Sequence, residues 1–238
     1  MASSGSVSKA DGVKPSGSPM LVAKKWVATR PLLQRAVTNL FHRMYHGSPG
    51  RTWQNTRWLG APLLKCPFDL WIYQELLTRV RPDVIVETGT HKGGSAFYLA
   101  SICDLLDHGR VITVDVREKS DRPQHPRITY LTGSSTSAEI VSRITNEASG
   151  RTMVILDSNH SRDHVLEELE AYSPLVAPGS YVIVEDTNVN GHPSHPKFGP
   201  GPWEAVEAFL ASHPEFRVDV DCEKFFLTMN PRGYLQRV

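Results

Sequence analysis

The stretch PDVIVETGTHKGGSAFYLASICDLLDHGRVITVDV, residues 82–116, decides the fold. A β-branched run, Val84 to Val86, climbs to Glu87 and breaks into a glycine turn. A helical-period segment follows, and a second apolar run ends at Asp115. Strand, turn, helix and strand at this spacing make a βαβ unit, whose two strands lie parallel. Both runs are apolar throughout rather than alternating, as in strands covered on both faces. The pattern repeats outward. RITYLTG (127–133), SAEIVSRITNEA (137–148), TMVILDS (152–158), RDHVLEELEAYSPLV (162–176) and SYVIVED (180–186) read as strand, helix, strand, helix and strand, and DLWIYQELLTRV (69–80) as a preceding helix. The tail FRVDVDCEKFFLTMN (216–230) holds two strand-like runs with no helical crossover, which predicts an antiparallel strand at the sheet edge. The class is α/β, a mainly parallel sheet with helices on both faces.

Charge divides the chain further. Between Gly12 and Phe68 there is no Asp or Glu, but there are nine basic residues, Lys65 among them. Residues 1–11 balance, so taking this +9 from the net charge of +1 leaves residues 69–238 at −8. The expected organisation is a disordered Ser/Gly/Pro-rich segment (1–19), a basic helical arm (20–68) and a catalytic domain (69–238). In the arm, Met20 to His46 sets apolar and basic residues at helical spacing, with Pro31 interrupting an early turn. Such a segment suits contact with its own domain, a homo-oligomer partner or an anionic membrane surface. No secretory signal or membrane-spanning run is present, so a cytoplasmic protein is expected, peripheral to the membrane if the arm binds lipid. No nucleic-acid partner is expected. Cys66, Cys103 and Cys222 form no CxxC pair and read as reduced structural thiols.

In an open α/β sheet, ligands sit outside the carboxyl ends of the strands. Those ends carry, in order, Glu87-Thr88-Gly89-Thr90 leading to Gly93 and Ser95, then Asp115, Gly133-Ser134-Ser135, Asp157, and the adjacent pair Glu185-Asp186. A dinucleotide fingerprint would need a glycine where His91 stands. An acid just before the turn disfavours pyrophosphate and suits a cationic ligand. Asp115 is placed to accept from two ribose hydroxyls. A ligand with a cationic amino-acid end and a ribose is S-adenosylmethionine (SAM).

VETGTHKGGSAFYLAS, LTGSSTS, ILDSNHSRDHVLEELEAYSPLVAPGSYVIVEDTNVNGHP and FGPGPWEAVEAF resemble the cephalosporin-hydroxylase-type family, which despite its name is largely methyltransferase-like. The nearest resemblance is to the rhamnosyl O-methyltransferases of mycobacterial glycolipid synthesis; macrolide-sugar O-methyltransferases are more distant. The likeness runs from about residue 50 to 238, is most specific over 153–209, and leaves the arm unmatched. It implies a Rossmann-like class I methyltransferase fold, SAM, a divalent metal (usually Mg²⁺), oligomers, and a sugar, glycolipid or similar small-molecule acceptor. Asp157, Glu185 and Asp186 match its metal ligands and His160 its general base. Glu87, Gly89, Asp115 and Ser134-Ser135 match its cofactor pocket, to which the turn residues Thr90, Gly93, Ser95 and Gly133, together with Asp157, are added.

Two adjacent carboxylates closing a buried strand are costly without a compensating cation. With Asp157 they make an all-oxygen set suited to Mg²⁺ or Mn²⁺. A metal lowers the pKa of a sugar hydroxyl, and an imidazole, ordinarily near pKa 6.5, removes its proton. His160 is the expected base, with His164 and His192 in reserve. NGHPSHPKFGPGPW (190–203) reads as an acceptor-side loop in which Trp203 either stacks on a sugar or is buried under the next helix. Two other classes stay open: an Fe(II) oxygenase using Asp157, His160 and His192, and a non-catalytic protein that keeps the fold.

Overall fold

The computed structural model of the chain describes residues 30–48 and 50–238. The expectations for residues 1–19 and for the start of the arm, 20–29, lie outside them. The first described element is helix α1, Pro31–His46. Pro31 begins this helix instead of interrupting it, because the first turn has no use for the N–H that proline lacks. The chain divides into a unit ending at Thr38 and a compact unit from Asn39 to Val238. The helical part of the basic segment ends at His46. Beyond it come a single 3₁₀ turn (Thr52–Asn55) and a two-stranded hairpin, β1 (Arg57–Trp58) with β2 (Ala61–Pro62), after which Leu63, Lys65 and Cys66 are buried.

The main sheet has seven strands: β3 (Val84–Thr88), β4 (Arg110–Asp115), β5 (Ile128–Thr132), β6 (Thr152–Leu156), β7 (Tyr181–Val184), β8 (Phe216–Val218) and β9 (Tyr234–Arg237). Their spatial order is β5-β4-β3-β6-β7-β9-β8. The first five are parallel, whereas β9 runs antiparallel to both β7 and β8. The helices are α2 (Pro67–Val80), α3 (Gly94–Leu105), α4 (Ala138–Glu147), α5 (Arg162–Tyr172) and α6 (Pro202–Ser212).

Strand alternation assigns the core to two faces. Val84, Val86, Ile112, Val114, Val154, Leu156, Val182 and Val184 pack under α4, α5 and α6, against Ile144, Leu169 and Phe209. Ile85, Val111, Met153, Ile155, Tyr181 and Ile183 pack under α2 and α3, against Leu76, Leu77 and Leu99. All three cysteines are free and buried, and burial pushes the Cys103 thiol up to about 11 and those of Cys66 and Cys222 to about 12.

The tail departs from its reading. Its first strand-like run is β8, but the second, around Phe225–Met229, is not a strand; the remaining strand is the later β9. Asp69 of α2 explains the change. This fully buried carboxylate accepts from Thr228 Oγ1 (2.5 Å), Met229 N (2.9 Å) and Tyr234 Oη (2.8 Å), drawing the 228–229 backbone to the helix instead of the sheet. Asp69→Ala would leave three buried donors without an acceptor, so a stability loss of about 3 kcal/mol or more is expected in denaturant unfolding. Substitution of the exposed Asp107 should leave the midpoint unchanged.

Candidate active site

Parallel register lines up the strand ends. Leu156 stands opposite both Thr88 and Val184, so the next residues, Gly89, Asp157 and Glu185, leave the sheet side by side. Gly89 has φ +89°, and a Cβ there would meet the Asp157 carbonyl oxygen at 1.9 Å. The turn needs glycine because the exit of β6 crosses it. Gly93 (φ +74°) takes the N-cap position of α3. Below the turn, Thr90 Oγ1 lies 2.7 Å from Thr113 Oγ1, which donates to Glu87 Oε2 at 2.7 Å. The other oxygen of this buried carboxylate, Oε1, has no hydrogen-bond partner among the described residues. Burial pushes the Glu87 carboxyl up, and the charge of Lys65 pulls it back.

Asp115 accepts from His91 N at 2.7 Å and Arg117 N at 2.9 Å, one bond to each carboxylate oxygen. It borders a cavity of about 530 Å³ that is also lined by Gly89, Thr90, Ser95, Asp157, His160 and Asp186. A second cavity of about 200 Å³ shares Gly89, Asp115 and Ser158 with the first and extends past Gly133, Ser134 and Ser135. The expected cofactor residues at four strand ends therefore border two adjoining cavities, apart from Gly93, which caps α3, and Glu87, which is sealed beneath them.

Among the described residues, Asp157, His160 and Asp186 form the one group whose ligand atoms all lie within 4.8 Å of one another. His160 Nε2 is 3.2 Å from Asp186 Oδ2 and 4.0 Å from Asp157 Oδ1. Glu185 is not among them. Successive residues of an extended chain point to opposite sides, and Asp186 adds a left-handed turn (φ +55°). The Glu185 carboxylate instead accepts from Tyr73 Oη at 2.7 Å and from Lys65 Nζ. Lys65, only 4% exposed, also reaches Asp157 Oδ2 at 2.5 Å. The compensating cation that the paired acids require is thus present as a lysine. Burial alone would lower its pKa, but Asp157 and Glu185 more than reverse this and hold it charged.

The reserve histidines are engaged elsewhere. His164 lies in the second cavity, 3.1 Å from Ser158 Oγ, 3.3 Å from Ser135 Oγ and 3.4 Å from Glu168 Oε1. His192 contacts Glu204 Oε1 at 3.2 Å and stacks on Trp203 at 4.1 Å. Trp203, half-buried in the first turn of α6, also has the Arg232 guanidinium 5.1 Å from its ring centre. The Asp157, His160 and His192 set of an Fe(II) oxygenase is not assembled. The loop 190–203 does contribute His195 and Phe198 to the larger cavity. Its opposite wall was not foreseen: His46, Trp53, Pro62 and Leu63. Burial, with His195 and His42 close by, lowers the His46 pKa to about 4, which keeps it neutral at physiological pH.

A family model for rhamnosyl O-methyltransferase/CmcI matches residues 50–238. The chain belongs to this family. It is an O-methyltransferase with the class I fold. A rhamnosyl O-methyltransferase of Mycobacterium tuberculosis is 40% identical to it over 211 residues, 85% of each chain. One of Mycobacterium leprae is 37% identical over 210 residues, 85% of this chain and 91% of the relative. A solved CmcI structure with Mg and SAM has a TM-score of 0.60 at 20% identity, covering 97% of this chain and 89% of CmcI. At that identity the likeness extends to the fold alone.

His164 gives a pH signature. Its hydrogen bond with Glu168 raises its pKa above that of free imidazole, burial opposing. The contact therefore stabilises the fold fully below about pH 6.5 and is lost as pH rises through the folded-state value. Glu168→Gln should lower the His164 midpoint in an NMR titration and flatten the melting temperature across that window.

Proposed function

We propose that this family member transfers a methyl group from SAM to a hydroxyl of a rhamnosyl-type sugar, with a divalent cation and with His160 as the base. The observation that carries the reading is the convergence of Asp157, His160 and Asp186 on the wall of the larger cavity, next to the turn that carries Gly89 and Asp115. The rhamnosyl O-methyltransferase relatives, matched over 85% of their length, support the acceptor class.

The residues fit both groups. The two linked cavities suit an elongated ligand, and Asp115 Oδ1, which accepts from Arg117 N alone, keeps a lone pair for a ribose hydroxyl, whereas Oδ2 accepts from His91 N and has the Arg122 guanidinium at 3.5 Å. The buried Glu87 Oε1 has no hydrogen-bond donor among the described residues, which supports a cationic group nearby. The carboxylates of Asp157 and Asp186, within 4.8 Å of each other, suit Mg²⁺ or Mn²⁺, with Glu185 the third carboxylate of the assigned set, and His160 beside them stays available as the base. A bound divalent cation supplies Lewis acidity toward the acceptor hydroxyl, and SAM supplies the methyl group on a sulfonium.

His160 takes the hydroxyl proton on the ring nitrogen that Asp186 does not hold, while Asp186, 3.2 Å from Nε2, orients the ring and stabilises the imidazolium. The acceptor oxygen forms its bond to the methyl carbon as the sulfur–methyl bond breaks, and the proton remains on His160. Val189, His195, Phe198 and Trp53 wall the reaction from water and hold the acceptor in line. His160→Ala should lower kcat by about 10²–10⁴-fold with SAM affinity, measured by calorimetry, nearly unchanged. EDTA should abolish turnover and Mg²⁺ or Mn²⁺ restore it; full activity of a rigorously metal-free preparation would overturn the metal.

For α1 we assign contact with an anionic lipid surface. Leu33, Val37, Leu40 and Met44, spaced four, three and four residues apart, form one exposed apolar stripe on a helix with Arg35 and Arg43 and no acid. Basic residues near such a surface contribute about 1 kcal/mol each. Among the described residues no helix is long and apolar enough to cross a membrane, so the contact is peripheral. Full-length protein should co-sediment with phosphatidylglycerol vesicles more than a chain starting at Arg51, and less in 500 mM than in 50 mM salt. Equal sedimentation would assign the stripe to a homo-oligomer contact instead.

A further inference from the structure

Lys65 is built into the site. It stands between the β1–β2 hairpin and α2, where its backbone N–H and C=O both bond to Thr56 Oγ1 at 3.3 Å. Its ammonium, 4% exposed, bridges Asp157 Oδ2 and Glu185 Oε1. The other Asp157 oxygen, Oδ1, faces His160. One carboxylate is thus divided between a lysine on one side and the group of candidate metal ligands on the other. Glu185 is held away from that group by the same lysine, helped by Tyr73.

The charges set the consequence. Glu87, Asp157, Glu185 and Asp186 bring four carboxyl groups around one lysine, with three of these side chains at least two-thirds buried and Glu87 fully so, and burial pushes the Glu87 and Glu185 carboxyls up. A nearby cation favours the ionised form of such a cluster. A divalent ion drawing on Asp157 and Glu185 shares with the ammonium two carboxylates that Lys65 already holds through Asp157 Oδ2 and Glu185 Oε1, and the two cations repel at short range.

We propose that Lys65 is a tethered competitor of the divalent cation: it neutralises Asp157 and Glu185 in the metal-free protein, lowers metal affinity, and must release Glu185 for that carboxylate to join the metal set. This rests on the metal reading above and goes beyond it by assigning the control of metal occupancy to one residue outside the ligand set. Lys65 is a positioning residue here. It acts through Asp157 and Glu185, and neither the acceptor nor SAM is required for its effect.

The test is binding, without turnover. Mn²⁺ is titrated calorimetrically into EDTA-stripped wild type, Lys65→Met and Lys65→Arg. Lys65→Met, similar in length but uncharged, should bind Mn²⁺ at least about tenfold more tightly than wild type, as loss of a cation next to the ion requires. Lys65→Arg should stay within about threefold of wild type. Equal or weaker binding by Lys65→Met overturns the proposal alone, whereas no binding by any of the three proteins overturns the metal reading and the proposal with it. Thermal melts add a second readout: metal-free Lys65→Met should melt below wild type and recover with saturating Mn²⁺, because the ion then replaces the lysine. A variant that folds only with Mn²⁺ supports the competition. A variant unfolded with and without Mn²⁺ overturns it, since the lysine would then be needed for packing that no ion replaces.

Discussion

The in-register departure of Asp157 and Glu185 from adjacent parallel strands is the constraint from which the site follows. Register is fixed by two layers of buried Val and Ile on either face, and slipping β6 by one residue would turn each of its core side chains to the wrong layer. The carboxylates therefore cannot separate by sliding. They are reconciled electrostatically by Lys65, whose ammonium reaches both. Hydrophobic packing thus holds like charges together, and that enforced proximity is what makes the strand ends able to bind a cation.

Much of this was legible in the chain. Five parallel strands announce themselves because strands covered on both faces must be continuously apolar. The Asp157-x-x-His160 spacing and the Glu185-Asp186 pair point at one end of the sheet because strand order brings β6 beside β7. The divergence of Glu185 from Asp186 also had a signal: neighbours in an extended chain face opposite ways, so a consecutive pair rarely serves one group in the same manner. Lys65 had none. Its partners lie 92 and 120 positions away, and KCPF resembles any loop before a helix. The second tail run failed for a related reason, since Asp69 binds residues some 160 positions distant and overrides their local β preference.

The wall opposite the strand ends teaches a further point about chain organisation. Composition separates a basic segment from an acidic domain near residue 68, yet Trp53, Pro62 and Leu63 line the same cavity as Asp157, and Lys65 neutralises its acids. A charge boundary in sequence is here a site of contact in space. One basic residue of that stretch, Lys65, has its counter-charges across the cleft. In such a protein, net charge by segment reports on attraction between parts as well as on exposure to solvent.

The three thiols carry a practical consequence. Each is buried in the core and shifted well away from thiolate formation at neutral pH, so maleimide reagents have little purchase on the native chain. A single cysteine introduced at an exposed position of the loop 190–203, such as Lys197, would then be the one fast-reacting sulfur. A fluorophore there would follow opening and closing over the cavity in real time, in a protein whose own cysteines need not be removed.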